Sequence, residues 1–406
     1  MNKFEKLGVI KPVLKAIEEE NITEPTEIQR KAIPLVVSRD DVIAGSATGS
    51  GKTLVFGSSI IQNSERGKGI QALILTPTRE LAEQVSKALL KFSKYKPLKV
   101  TAIYGGVSIN PQMEKLKIAD VVVGTPGRML DHIGRKTIDL RNVKTLVLDE
   151  ADTMLDMGFI DDVEKIIRAC PRDRQTMLFS ATITSEVSRL AQEYMKNPKE
   201  VSVDSYVDPK KLRQVYYDVP GNMKLSLLVH LLKHEEGGLV MVFCNTRQYV
   251  DFVAKNLKRS GIEATAIHGG LSQDKRNRVM SKFHSKDVYV LVCTDVAARG
   301  LDIQNVSHVY NFDIPSESKQ YIHRIGRTAR AGEKGKAISI LGERDYENFR
   351  RVLRDSELNV DREEMPYVEK IHTVRPEGRP YERHGQRRPH GKPHGSRNHT
   401  NRRRSH

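Results

Sequence analysis

Short apolar runs recur along this chain at helix-sized intervals, and they fall into two similar sets. The first set is Asp41–Ala44, Ala72–Thr76, Val100–Tyr104, Val121–Gly124, Leu146–Leu148 and Thr176–Phe179. The second is Val215–Val219, Leu239–Cys244, Ala264–His268, Val288–Cys293, His308–Phe312 and Ala337–Leu341. Runs rich in Val, Ile and Leu, separated by helix-compatible stretches such as Thr78–Ser93, predict parallel strands buried on both faces. The fold class is therefore α/β, with two units of one plan. A length of 406 residues accommodates two such units and an appendage. The stretch Asn197–Lys211 has two prolines, many charges and few large apolar residues, so the linker is placed there. Ligands of such sheets bind beyond the carboxyl ends of the strands, and the polar signatures of this chain begin at those ends.

The first signature is Ser46–Ala47–Thr48–Gly49–Ser50–Gly51–Lys52–Thr53, which follows the run Val42–Ala44 and opens an apolar helical pattern. Strand, glycine-bearing loop, Lys-Thr and helix form the context of a phosphate-binding loop. The glycines let backbone N–H groups close around an anion, and the helix N-terminus adds positive potential. Lys52 can reach the β- and γ-phosphates, and the Thr53 hydroxyl can hold Mg²⁺. Ser46 stands where the motif's first glycine is usual.

Asp149–Glu150–Ala151–Asp152 follows another strand. Facing a phosphate loop, Asp149 can hold Mg²⁺ through water, and Glu150 can orient or deprotonate the water that attacks a γ-phosphate. Ser180–Ala181–Thr182 ends the next strand. Pro77–Thr78–Arg79, Gly105–Gly106 and Thr125–Pro126–Gly127–Arg128 offer N–H groups, hydroxyls and guanidinium groups, which contact phosphates and sugars, although ordinary turns use the same residues. In the second half, Thr294–Asp302 follows a strand, and Arg324, Arg327 and Arg330 recur at intervals of three. If a helix starts there, at least two guanidinium groups can meet one anion; the alternative is a solvated basic face.

Charge points to a polyanionic partner. The net charge is +16. From Arg375 to His406 there are ten Lys/Arg against two Glu, a net of +8, with almost nothing apolar. That segment reads as a disordered basic tail, because it cannot bury enough surface to offset its ordering entropy. Cys170, Cys244 and Cys293 are far apart and lack metal-site spacing, which fits a reducing cytoplasm. No apolar run approaches the roughly 20 residues that span a bilayer, and residues 1–20 carry no signal-peptide pattern. The reading is thus a cytoplasmic protein with no membrane partner.

In order and spacing, these signatures resemble the DEAD-box RNA helicases of helicase superfamily 2, from Phe4 to about Leu341. Pro25–Thr26–Glu27–Ile28–Gln29 matches that family's adenine-reading motif. Val242–Thr246, His268–Gly269–Gly270 and Gln273–Asp274–Lys275–Arg276 match RNA-facing motifs of its second domain. The resemblance implies two tandem RecA-like domains, 1–206 and 207–365, and a basic RNA-binding tail, 366–406. It implies that Phe4 stacks on adenine and that Gln29 reads its edge. Ser46, Ala47, Thr48, Gly49, Ser50, Gly51, Lys52, Thr53, Asp149, Glu150, Gly300 and Asp302 would surround ATP and Mg²⁺. Arg327 and Arg330 would be arginine fingers. Asp152, Ser180, Thr182 and His323 would couple hydrolysis to closure. Pro77, Thr78, Arg79, Gly106, Thr125, Arg128, Asn245, Gly270 and Thr294 would line the RNA path. The implied protein is a monomeric RNA-dependent ATPase that separates short duplexes or remodels RNA–protein complexes, with ribosomal or RNA-decay partners compatible. Ala329 departs from the family's usual glycine. The alternatives are a DNA translocase, opposed by the intact Asp-Glu-Ala-Asp and Gln29, and a non-catalytic RNA clamp, opposed by Lys52, Glu150 and Arg327.

Overall fold

A computed structural model describes residues 2–45, 49–203, 212–235, 237–299, 301, 303, 306–329, 335–356 and 358–374. Ser46, Ala47, Thr48, Gly300, Asp302, Arg330 and residues 375–406, for which roles are expected above, lie outside the described residues.

Among the described residues, fourteen strands form two parallel sheets. The first holds β1 (Val42–Gly45), β2 (Ala72–Leu75), β3 (Val100–Ile103), β4 (Val121–Gly124), β5 (Thr145–Leu148), β6 (Gln175–Ser180) and β7 (Lys199–Ser202). The second holds β8 (Leu212–Asp218), β9 (Leu239–Phe243), β10 (Ala264–Ile267), β11 (Val290–Cys293), β12 (Val306–Asn311), β13 (Gly335–Leu341) and β14 (Asp361–Glu363). The spatial orders are β3-β4-β2-β5-β6-β1-β7 and β10-β11-β9-β12-β13-β8-β14. They are the same order, offset by seven strands, so the two sets of apolar runs are one topology built twice.

Both faces of each sheet are covered. In the first, Val42, Ile74, Val123, Val147 and Phe179 join one core, while Ile43, Leu73, Val122, Leu146 and Leu178 join the other. Alternate residues thus go to opposite faces, yet all are apolar, which is why these strands read as continuous runs. Val242, Val290 and Ile340 against Met241, Leu291 and Val309 repeat this division in the second sheet.

Two expectations are corrected at the sheet edges. The expected linker already contains β7, which pairs with β1 in the register Ala44↔Val201. β7 and β14 are charged and largely exposed, so neither carries an apolar signature. An edge strand solvated on one side needs none. The tail boundary at 366 is also too early. Val368 and Ile371 pack against the second domain's core, Ile371 N donates to Ser226 Oγ at 3.1 Å, and Val374 N donates to Asn256 Oδ1 at 2.9 Å. No described helix is long and apolar enough to cross a membrane.

Candidate nucleotide and RNA site between the domains

The phosphate loop leaves β1 and enters the helix Lys52–Asn63 through Gly51, which has φ +95°. That backbone angle favours glycine, and a Cβ there would stand 2.3 Å from Gln29 Nε2 and displace that amide. Gln29 Nε2 donates to Gly51 O at 3.1 Å, and Gln29 Oε1 accepts from Thr26 N at 3.0 Å. Thr26 Oγ1 in turn donates to Ser50 O at 2.8 Å. One capping box therefore starts the helix Glu27–Val37 and braces the loop. Phe4, expected on the adenine, has no exposed surface and belongs to the core with Val9, Val13 and Val36. Burial of the whole ring among aliphatic side chains is the more favourable use of an aromatic lacking polar atoms.

β5 delivers the carboxylates. Lys52 Nζ lies 3.7 Å from Asp149 Oδ1, and both side chains are buried. Burial pushes the Asp149 carboxyl up to about 6; Lys52 opposes this and Glu150 adds to it. Glu150 adopts φ +50°, the left-handed region, as it caps the helix Ala151–Asp156. Roughly 1–2 kcal/mol of strain is usual for a non-glycine residue there, and its N–H donates to Asp149 Oδ1 at 3.0 Å.

Three of the four residues expected to couple the domains form one network. Thr182 N and Thr182 Oγ1 each donate to Asp152 Oδ2 at 2.9 Å, Asp152 N donates to Ser180 Oγ at 3.2 Å, and Ser180 Oγ donates to Thr182 O at 2.7 Å. Burial works to raise the Asp152 carboxyl, but Thr182, with Lys319 and His323 of the second domain, holds it below the usual range. His323 is buried, and burial together with Arg327, Lys319 and Arg299 lowers its pKa against the pull of Asp152. Its Nε2 has no hydrogen-bond partner among the described residues.

The arginine series departs from the expected helix start. The helix Ser318–Ile325 ends within it. Arg324 is 1% exposed and clamps Asp295 with two bonds, Nε to Oδ1 at 2.6 Å and Nη2 to Oδ2 at 2.7 Å. Asn245 Oδ1 accepts from Arg324 Nη2 at 2.9 Å, while Asn245 Nδ2 donates to Ile314 O at 2.8 Å. Arg324 and the Asn245 amide are thus framework of the second domain, not ligands for an incoming anion. Arg327, two residues past the helix, donates from Nη1 to Leu301 O at 2.9 Å and lines a small cavity with Arg299 and His323. Ala329 takes φ +54°, where glycine would be unstrained.

The expected RNA residues cluster at strand ends. Thr78 caps the helix Arg79–Phe92, accepting from Leu81 N at 3.3 Å. Arg79 lies over Gly106, where a Cβ would meet its Nη1 at 2.0 Å. Arg128 Nη2 donates to Val107 O at 3.0 Å, and Arg128 Nη1 is buried without a partner among the described residues. Thr125 precedes the helix Pro126–Gly134 and Thr294 the helix Asp295–Ala298. Gly270 N donates to His268 Nδ1 at 3.1 Å. Pro77 directly precedes the Thr78 cap.

Gln273 and Arg276, expected to face RNA, reach the other domain instead. Arg276 Nε donates to Glu80 Oε1 at 2.7 Å, and Gln273 lies between Glu80 and Arg79 at 3.3 and 3.4 Å. On the ATP side, Asp156 accepts from Lys319 at 3.1 Å and stands 3.7 Å from Arg299. Sequence reading missed Glu80, Asp156 and Lys319, because an ion pair between domains leaves no local pattern.

Two tandem RecA-like domains, with a phosphate loop and acidic pair in one and Arg299, His323 and Arg327 around a small cavity in the other, define a nucleotide-driven motor. Residues 26–190 match the family described as DEAD/DEAH box helicase, and residues 223–332 match the helicase conserved C-terminal domain. The DEAD-box ATP-dependent RNA helicase CshA of Geobacillus kaustophilus (strain HTA426) is 44% identical over 372 residues, 91% of this chain and 80% of its own length. The CshA of Bacillus subtilis (strain 168) is 42% identical over 369 residues, 90% and 75% respectively. Among solved structures, S. cerevisiae Dbp5 bound to RNA and ADP BeF3 superposes with a TM-score of 0.82 at 32% identity, covering 90% of this chain and 96% of that one. A DEAD box protein from Methanococcus jannaschii gives 0.54 at 43% identity, covering 88% and 98%. This chain belongs to the DEAD-box helicases.

Proposed function

We propose that this protein hydrolyses ATP in response to RNA and uses domain closure to separate short RNA duplexes or remodel RNA–protein complexes. The observation that carries this is the contact between the domains beside the acidic motif: Asp156, at the end of the helix that Glu150 caps, accepts from Lys319 of the other domain at 3.1 Å and stands 3.7 Å from Arg299. The domain arrangement supports it, since superposition is better on Dbp5 with RNA and ADP BeF3 than on a more identical relative.

In this reading Gly49–Thr53 holds the phosphates of ATP, with Ser46, Ala47 and Thr48 completing the loop. Gln29 holds the loop and offers its remaining amide valences to adenine. Gly300 and Asp302 belong to the same site. A buried acid whose pKa is raised despite a lysine 3.7 Å away is under-compensated, which fits a cation site. Thr53 and Asp149 would hold Mg²⁺, partly through water, and the ion would supply charge neutralisation at the phosphates. Glu150 accepts the proton of the attacking water. Arg327 and Arg330 stabilise the charge on the transferring phosphoryl group, as planar guanidinium groups do best. Pro77, Thr78, Arg79, Gly106, Thr125, Arg128, Gly270 and Thr294 grip the RNA backbone with N–H, hydroxyl and guanidinium donors. Contacts to 2′-hydroxyls would favour RNA over DNA. ATP and RNA both favour closure, so each tightens the other's binding.

Residues 375–406 act as a sequence-blind anchor through counterion release. Three buried free cysteines suit a reducing cytoplasm, and the protein works as a monomer compatible with ribosomal or RNA-decay partners. The test is ATPase with and without RNA, beside unwinding of matched RNA and DNA duplexes. RNA-stimulated turnover with RNA unwinding is expected; turnover stimulated equally by DNA would refute the RNA assignment.

A further inference from the structure

The outer edge of the first sheet is built to receive a strand. Among the described residues β3 is outermost and pairs only with β4. Lys99 O and Ile103 O accept from Val121 N at 3.2 Å and Thr125 N at 3.0 Å. In a parallel ladder the N–H and C=O of one residue point to the same side, and successive residues alternate. Val100 and Ala102 therefore turn their backbone groups outward. Along that edge runs a groove of about 710 Å³. Leu90 and Ile118 stand in it 48% and 62% exposed, although both are large and apolar.

The rim is cationic. Arg66, Lys87, Lys99 and Lys115 line it, and none of them makes an ion pair among the described residues. The one carboxylate in the lining, Glu83, accepts from the Tyr104 hydroxyl. Lysines beside an open edge discourage a second basic copy from pairing there. The chain's own segment 375–406, at +8, is repelled for the same reason. A nucleic acid strand suits the groove poorly. The outward carbonyls of Val100 and Ala102 would oppose phosphates, and the only aromatic in the lining, Tyr104, has its hydroxyl committed.

We propose that β3 is a docking edge for an extended acidic segment of another protein. The segment adds to the sheet as a further strand, with apolar side chains over Leu90 and Ile118 and carboxylates on the lysines. Backbone pairing supplies affinity, and the alternating side chains supply selectivity.

The probe is a fluorescein-labelled, acetylated peptide of alternating valine and glutamate, titrated with the full chain in an anisotropy assay. Saturable binding that weakens with salt is expected, and an alternating valine–lysine peptide should not bind. Lys87→Glu combined with Lys115→Glu should weaken binding about tenfold or more, as should Ile118→Glu. These exposed substitutions should leave RNA-stimulated ATPase and melting temperature unchanged. Ala102→Pro removes one outward N–H and should cost about tenfold; if it unfolds the edge, the surface variants decide alone. Absence of saturable binding to the unmodified chain would overturn the proposal, as would unchanged binding by the charge-reversed variant. A labelled single-stranded RNA losing the same factor in the Lys87→Glu/Lys115→Glu variant would also overturn it, by assigning the groove to the RNA path.

Discussion

The Glu80–Arg276 pair is the most direct place to measure what closure is worth. The two side chains are 2.7 Å apart, come from different domains, and are only 11% and 12% exposed. Exposed pairs contribute at most about 1 kcal/mol; a charge-assisted bond largely screened from water contributes about 1.5–3 kcal/mol. Gln273 Nε2 also donates to Glu80, at 3.3 Å, and would recover part of the loss. A value near 2 kcal/mol is therefore expected, and it exists only while the domains are together. Glu80→Gln or Arg276→Gln should then disfavour closure by about 30-fold. Because RNA and ATP are coupled through that closure, RNA affinity measured with a non-hydrolysable ATP analogue should fall by a comparable factor. Without nucleotide it should change by less than about twofold. The assay is anisotropy of a labelled single-stranded RNA, run on both single variants and the double variant. The double should be scarcely worse than either single, since both delete one interaction. Fully additive losses, or equal losses with and without nucleotide, would refute the claim that the pair acts by holding the domains closed.

The remaining expectations concern chemistry and proton balance. Glu150→Gln should retain ATP and RNA binding while turnover falls at least about 100-fold, checked by steady-state ATPase beside equilibrium binding. Arg327→Lys should not recover the roughly thousandfold loss expected of Arg327→Ala, because the planar fork is absent; single-turnover hydrolysis with saturating RNA decides it. Gln29→Ala should weaken ATP binding and reduce the preference over GTP. It should also lower the melting temperature, because the Gln29 half of the capping box, a hydrogen bond contributing about 1 kcal/mol, goes with it. His323 sits below its ordinary pKa, chiefly through burial, so the assembled protein disfavours its protonated form. The stability it contributes is present above the ordinary value of 6.5 and is lost as pH falls through the lowered one. Half-saturating RNA should therefore rise on acidification below about pH 6.5, and His323→Gln should flatten that dependence in an RNA titration of ATPase.

The chain's own letters determine what is local. Twelve of the fourteen described strands announce themselves, most of them because a parallel strand covered on both faces must be apolar throughout. Gly51 and Lys52 declare an anion loop, because glycine, lysine and a helix start act within a few residues of one another. Asp149, Glu150, Asp152 and Thr182 sit at strand ends, where such sheets place their chemistry. β7 and β14 escape notice because an exposed edge strand is held by backbone pairing, which any sequence can supply. The fate of a side chain with two good uses is decided only in three dimensions. Phe4 fills the core instead of facing a base, and Arg324 spends its guanidinium on Asp295 and Asn245 within its own domain. Gln273 and Arg276 meet Glu80, about two hundred positions away, instead of an RNA. Burial and ion pairing depend on which surfaces the two sheets turn toward each other. That choice is made by the packing of whole domains, so no stretch of sequence carries it alone.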